Sequence, residues 1–230
     1  VYGTMTFVRS LIVHQSRLAL ARAVTIAVRY TAIRQQFKDR DNASGLEVAV
    51  LNYPTVQIRI LPLLAATYAL HYTGLAMQKT YKDARKEIAD GNFSSLAHMH
   101  SMSSGLKSLC TNIVADGIET CRRALGGHGY GGGSGFVRLS PDYLSRVTVE
   151  GDNWMITQQV ASYLIKKMTE AASGNKDCDE SHLEILNSRA NGRILPSYDI
   201  LDSDFDLVKA FRRRASFLVR RLFLSLRASN

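Results

Sequence analysis

No acidic residue occurs after Asp206, and only four prolines and three cysteines are spread over 230 residues. No uninterrupted apolar run approaches the ~20 residues of a membrane-spanning helix. Each scarcity excludes something. Few prolines, with 16 glycines, argue against a disordered or fibrous chain; 46% hydrophobic and 21% charged residues make a globular composition with enough apolar mass for a core. Cys110, Cys121 and Cys178 sit at no metal-ligand spacing, so no metal is expected, and their odd number suits a reducing compartment better than a disulfide framework. The opening Val1-Tyr2-Gly3-Thr4-Met5 has neither an initiator Met nor the basic-then-apolar pattern of a secretory signal, so the chain reads as a piece of something longer.

The missing acids shape the charge balance. The formal charge is +9, but seven of the 29 basic residues lie beyond Asp206, so residues 1–206 hold 22 basic against all 20 acidic residues, a balance of +2. A nucleic-acid reading based on overall charge therefore fails. The tail from Leu207 to Arg227 reads as a basic amphipathic helix with Phe211, Leu218 and Leu222 at helical spacing. It is either a surface for an anionic membrane or acidic partner, or an element packed against another part of the protein.

What is present is helical periodicity. A stripe through Phe7, Leu11, Leu18, Ala21, Ile26 and Ala27, free of Pro and Gly, predicts a helix from about Thr6 to Phe37. A polar turn over 38–45 leads to a second helical segment from about Glu47 to Asp90, with Pro54 near its true start, a kink at Pro62, and Gly91-Asn92 as its end. A third helix is expected from Ser94 to Leu125. After the glycine-rich stretch 126–135 and a short irregular passage, a fourth runs from Asn153 to Ala172. Period-two alternation is nearly absent, so the expected fold is all-α, a long antiparallel helix bundle. Residues 173–177 (Ser-Gly-Asn-Lys-Asp) read as a linker, dividing the chain into 1–175 and 176–230.

Three segments could carry chemistry. Gly126–Gly135 exposes backbone N–H groups that can approach a phosphate, or it is a plain flexible connection. His128 within it has no acidic neighbour in sequence, and His98 and His100 diverge on a helix, a poor metal pair. In Val149-Glu150-Gly151-Asp152-Asn153-Trp154, either Asp152 or Asn153 simply caps a helix, or Glu150 is a base held between apolar Val149 and the single Trp154. Arg34, at the end of the first helix, either clamps a pyrophosphate or complements the helix dipole.

Five segments in this order resemble the acyl-CoA oxidases, within the acyl-CoA dehydrogenase superfamily. They are Tyr-Gly-Thr-Met at 2–5, Arg-Gln-Gln-Phe at 34–37, Ser-Ser-Gly-Leu-Lys at 103–107, Cys-Arg-Arg-Ala-Leu-Gly-Gly-His-Gly-Tyr at 121–130, and Glu-Gly-Asp-Asn at 150–153. The resemblance implies a flavoenzyme of peroxisomal fatty-acid β-oxidation, of which 1–175 is the first C-terminal helical bundle with the edge of a middle domain at its start. Residues 176–230 would begin a second helical domain, and an isolated chain of this extent is not expected to turn over. Glu150 matches the family's base, which takes the α-proton of a fatty acyl-CoA while a hydride passes to FAD and O2 is the final acceptor.

Arg34, Gln36, Phe37 and Gln57 match FAD-contacting positions, and Gly126 and Gly127 match the loop along the FAD phosphates. In the superfamily these regions reach the neighbouring subunit's flavin, which implies a homodimer. Asp152 and Asn153 match the stretch that touches the flavin of the same subunit. Arg9 aligns with an Arg that contacts the CoA portion in related dehydrogenases, although the adjacent acid of those enzymes is Thr6 here. Gly131-Gly132-Gly133 is richer in glycine than the family pattern, which implies a more mobile loop, and Ala228-Ser229-Asn230 is not the usual peroxisomal tripeptide. The peroxisomal address is thus implied by the resemblance alone. The alternatives are an acyl-CoA dehydrogenase that uses an electron-transfer protein, and a non-catalytic helical or dimerisation module; neither nucleic acid nor a transmembrane segment is expected.

Overall fold

A computed structural model describes residues 2–38, 45–173 and 198–228. Helix α1 spans Tyr2–Ile33 and is followed by strand β1 (Gln35–Lys38) and strand β2 (Glu47–Ala49). Helix α2 (Pro54–Ala89) and helix α3 (Leu96–Ala124) come next, then the one-turn helix α4 (Gly127–Tyr130) and helix α5 (Phe136–Leu144). Helices α6 (Asn153–Ala172) and α7 (Asp204–Ala228) complete the described elements. The all-α expectation holds. The chain divides into two compact units, 1–160 and 161–230. Most of the expected linker, 174–177, lies outside the described residues.

The first unit is built on α1, whose buried positions Thr6, Arg9, Val13, Ser16, Leu20, Val24, Ala27 and Thr31 recur every three or four residues. Small residues set how closely its neighbours approach. A Cβ on Gly74 of α2 would lie 2.8 Å from the His14 Cα, and one on Gly117 of α3 would lie 2.7 Å from Leu20 Cδ1 and 3.2 Å from Leu63 Cδ2. These contacts run α2 antiparallel to α1 and α3. The opening turns of α6, residues 153–160, run antiparallel to α3, with Asn153 bonded to Asn112 at 2.8 Å and Val160 against Gly105. Helices α1, α2 and α3 alternate in direction around a core of Val13, Leu20, Val24, Ile60, Met77, Met99, Val114 and Ile118.

Three expectations need correction. Helix α1 stops at Ile33 rather than Phe37, because the Val50 N–H bonds the Arg34 carbonyl at 2.8 Å and draws the chain into an antiparallel β1–β2 hairpin. Helix α2 begins at Pro54, the expected true start, where the missing N–H costs nothing, and the preceding residues 47–52 of the expected helical segment are strand and a 3₁₀ turn. The passage after the glycines contains α5, which buries Phe136, Leu139 and Tyr143 at i, i+3 and i+7. Helix α2 itself runs without interruption through Pro62.

Both α1 and α2 are long and apolar enough by composition to cross a membrane, although neither contains an uninterrupted apolar run of that length. In α1 the apolar stripe is the bundle core described above, which is the role those residues fill here. In the second unit, Met168 and Ala171 of α6 and Phe223 of α7 are buried. Phe211, Leu218 and Leu222 stay exposed on α7, where the Lys209 ammonium lies 4.0 Å from the Phe205 ring centre.

Candidate active site

Glu150 sits in the turn between a 3₁₀ segment, Ser145–Val147, and the start of α6. Its backbone is left-handed, φ 60°, and Gly151 follows at φ 105°. Among the described residues only Phe37, at φ 64°, shares a positive φ without being glycine. Such a conformation persists in a non-glycine residue only where the surroundings hold it. Here they do. The Arg9 guanidinium donates from Nε (2.9 Å) and Nη2 (2.7 Å) to the Glu150 carbonyl oxygen, and from Nη1 to Ser104 Oγ at 2.9 Å. A side chain on Gly151 would run into Ile156, so glycine is required there for space as well as for φ.

Behind this turn lies Lys107 of α3, fully buried. Its ammonium donates to the carbonyls of Val147 (3.0 Å) and Gly151 (2.8 Å) and to Asn153 Oδ1 (2.9 Å). Burial, reinforced by the Arg9 charge and opposed by Asp152 and Glu150, pulls its pKa down to about 8. Burial likewise lowers Arg9 from its ordinary value, with Glu150 opposing, and lowers His100, next to which Arg9 adds repulsion. Glu150 itself is half-buried. Its backbone N–H donates to no group among the described residues, so the turn presents a carboxylate and an uncommitted N–H together. The expected apolar enclosure is not made by its sequence neighbours, since Val149 is 43% and Trp154 85% exposed.

Asp152 is the cap of α6: its Oδ1 accepts from the Trp154 N–H at 3.0 Å and its carbonyl from the Ile156 N–H at 2.9 Å. Asn153 turns inward. It is 4% exposed, and its Nδ2 donates to Thr111 Oγ1 at 2.9 Å and to Asn112 Oδ1 at 2.8 Å. Asn153 thus has its side-chain amide committed within the bundle, and Arg9, 3% exposed, directs its guanidinium at the Glu150 carbonyl and Ser104.

The second cluster lies at the other end of the bundle. Arg34, Gln36 and Phe37 are exposed on the hairpin, where Tyr53 Oη donates to the Gln36 carbonyl at 2.9 Å, and half-buried Gln57 stands in the first turn of α2. Gly126, at φ 60°, and Gly127 are exposed, with open space where a Cβ would stand. The glycine stretch is not a plain loop. It folds into α4 and a 3₁₀ turn, Gly132–Ser134, and His128 Nδ1 shares a 2.8 Å hydrogen bond with Tyr30 Oη. Gly129 is buried so tightly that a Cβ would collide with the Arg122 carbonyl. A concavity of about 860 Å³ opens here, lined by Ile26, Tyr30, Gly127, His128, Gly131 and Ser134.

Helix α1 separates the two clusters. Arg9 holds Glu150 and Tyr30 holds His128, and the 21 residue steps from Arg9 to Tyr30 span roughly 32 Å at ~1.5 Å per residue. Sequence reasoning singled out the segments that form these two clusters and missed Lys107 and Tyr30 as parts of them. A Lys in a helix pattern and a Tyr on a helix face carry no local sign of their distant partners. Among the described residues no group of three or more His, Cys, Asp or Glu could hold a metal ion.

The family model for the acyl-CoA oxidase C-alpha1 domain matches residues 2–165. A putative peroxisomal acyl-coenzyme A oxidase 1.2 of Arabidopsis thaliana is 44% identical over 76% of this chain and 26% of its own length. The human peroxisomal acyl-coenzyme A oxidase 1 is 35% identical over 95% of this chain and 34% of its own. Among solved structures, an acyl-CoA oxidase from tomato (Lycopersicon esculentum) aligns with TM-score 0.88 and 36% identity, over 97% of this chain and 34% of that one. Acyl-CoA oxidase-2 of Caenorhabditis elegans, bound with FAD, ascaroside-CoA and ATP, aligns with TM-score 0.86 and 32% identity, over 100% of this chain and 34% of that one. The chain thus spans about a quarter to a third of the length of the relatives it matches.

Proposed function

This chain belongs to the acyl-CoA oxidase family, and from that premise we propose that it supplies the base-bearing bundle of a FAD-dependent enzyme of peroxisomal β-oxidation. The reaction converts a fatty acyl-CoA and O2 to a trans-2-enoyl-CoA and H2O2. The observation that carries this reading is the Glu150 turn: a half-buried carboxylate beside its own uncommitted N–H, on a backbone that Arg9 and Lys107 hold from behind.

The residues of the second cluster suit FAD. Arg34 presents a guanidinium with no ion-pair partner among the described residues, and the Gly126-Gly127 backbone lies bare beside a large concavity, a cradle for a pyrophosphate. Arg34, Gln36, Phe37, Gln57, Gly126 and Gly127 would hold the dinucleotide portion, and Asp152 would face the flavin end. FAD supplies, when bound, the acceptor for the substrate's β-hydride.

The chain's own residues do the rest. The α-proton of a thioester is only weakly acidic, so the carbonyl must be polarised as the proton leaves. The Glu150 N–H donates to the thioester oxygen while a Glu150 carboxylate oxygen takes the α-proton, so one residue serves both charges that develop. Its fixed φ keeps the two groups in one arrangement.

The roughly 32 Å along α1 that separates the clusters supports a homodimer in which each FAD meets Glu150 of one copy and the Arg34 and Gly126 cluster of the other.

The test uses the full-length enzyme. A long-chain acyl-CoA added without oxygen bleaches the flavin, and air restores its colour with stoichiometric H2O2. Glu150→Gln binds the acyl-CoA but hardly bleaches. Bleaching that persists in air would make the protein a dehydrogenase that needs a protein acceptor, and near-normal bleaching by the variant would refute the base.

A further inference from the structure

Lys107 enters the resemblance only as the last letter of a helical motif, yet it is among the largest fully buried side chains of the described protein. A buried ammonium is retained only where acceptors replace its water. This one has three, and three is the donor count of the protonated amine. Their positions matter more than their number. Val147 is three residues before Glu150, Gly151 is the residue after it, and Asn153 is the first residue of α6. One side chain thus gathers both flanks of the base and the helix that follows onto a single point of α3. Asn153 extends the tie to Thr111 and Asn112, one turn further along α3. Arg9 grips Glu150's own carbonyl from α1.

We propose that Lys107 is a positioning residue for Glu150: by tying Val147, Gly151 and Asn153 together, its ammonium holds the left-handed turn that aims the carboxylate and the N–H at the substrate. This rests on the reading of Glu150 as the base. The tie depends on protonation. A neutral amine keeps two donors and turns a lone pair on its third acceptor, so the turn loosens as Lys107 loses its proton. The charged and titratable groups around it are Arg9 from α1, His100 beside Arg9 on α3, and Glu150 and Asp152 from the turn. Desolvation and Arg9 lower its proton affinity while the two carboxylates raise it, leaving a pKa of about 8. A loss of rate as pH rises past about 8 is the consequence.

The experiment compares full-length, FAD-loaded wild type with Lys107→Met, Lys107→Ala and Glu150→Gln. It measures anaerobic flavin bleaching by a long-chain acyl-CoA, the acyl-CoA dissociation constant, FAD content and Tm. Lys107→Met is expected to bleach roughly 10²-fold more slowly, the order of effect a misplaced catalytic group produces, with dissociation constant and FAD content within about twofold of wild type. The alkaline loss of rate present in wild type is expected to vanish in the variant. Ethylammonium added to Lys107→Ala is expected to restore part of the rate.

Bleaching by Lys107→Met at the wild-type rate would overturn the proposal. So would a slow rate that keeps the alkaline limb, because Lys107 would then be only a structural residue. If neither variant folds, the wild-type profile decides: no alkaline loss between pH 7 and 10 overturns the proposal. Glu150→Gln separates the two readings. If that variant bleaches normally the base is misassigned; if it is dead while Lys107→Met is normal, only the role of Lys107 fails.

Discussion

The Arg9 guanidinium donates two hydrogen bonds, at 2.9 and 2.7 Å, to a single atom 141 residues away, the carbonyl oxygen of Glu150. A rigid planar fork closing on one oxygen fixes the orientation of that peptide as well as its position. It therefore restrains the Glu150–Gly151 peptide, that is ψ of the residue that carries the carboxylate and φ of the glycine after it.

Arg9→Met in the full-length enzyme is expected to slow anaerobic bleaching roughly 10- to 10²-fold and to leave the acyl-CoA dissociation constant within about twofold. Losing the partner of a buried carbonyl and of Ser104 costs about 1–3 kcal/mol of stability. A dissociation constant that rises tenfold at unchanged bleaching rate would instead assign Arg9 the CoA-contact role.

Tyr30→Phe removes the hydroxyl bonded to His128 at 2.8 Å and keeps the ring. FAD retention is expected to weaken by about 0.5–1.5 kcal/mol, the worth of one hydrogen bond, with Tm of the apoprotein little changed. Equilibrium dialysis of FAD against the variant measures it, and unaltered retention would show that the glycine turn needs no such anchor.

Gly129→Ala forces a Cβ onto the Arg122 carbonyl, a backbone atom that cannot swing aside. A destabilisation of about 1–3 kcal/mol is expected. Gly133→Ala, with nothing within 4 Å of its Cβ, is expected to change stability by no more than about 0.5 kcal/mol. Thermal denaturation of the two full-length variants compares them, and equal melting temperatures would contradict the tight packing of α4.

Glu119 accepts 2.7 Å hydrogen bonds from Arg122 and Arg123, and these hold its carboxyl at about 2, below its ordinary 4.5. A carboxyl lowered in the folded state stabilises fully above the unfolded value, and the benefit is lost as pH falls from about 4.5 through about 2. Solvent screening of this partly exposed group limits the gain to less than about 1 kcal/mol. The urea midpoint of Glu119→Gln is expected to lie below wild type at pH 6 and to converge on it as pH drops toward about 2. A constant gap across that range would assign the difference to something other than ionisation.

Much of this protein could be read without coordinates, and for local reasons. Helical spacing is a short-range property, so α3 and α6 appeared close to their true bounds, Leu96–Ala124 and Asn153–Ala172. Pro54 marked the start of α2 because its missing N–H is free of cost only in a first turn. Helix α5 went unread because a nine-residue helix that contains Pro141 carries too few periods to stand out. The hairpin went unread because β1 is fully exposed and shows no alternation.

Composition and motif order by themselves determined an all-α chain, an oxidase-like order of segments, and Glu150 as the carboxylate to watch. Only the tertiary structure decided what holds Glu150 and how its site is divided. Arg9, Lys107 and Asn153 look like surface or cap residues in the linear chain, and they became buried ties because α1, α3 and α6 converge behind one turn. The separation of the two clusters was equally invisible, since it follows from the unbroken length of α1. Side-chain identity is local, whereas burial and distance arise only when helices pack.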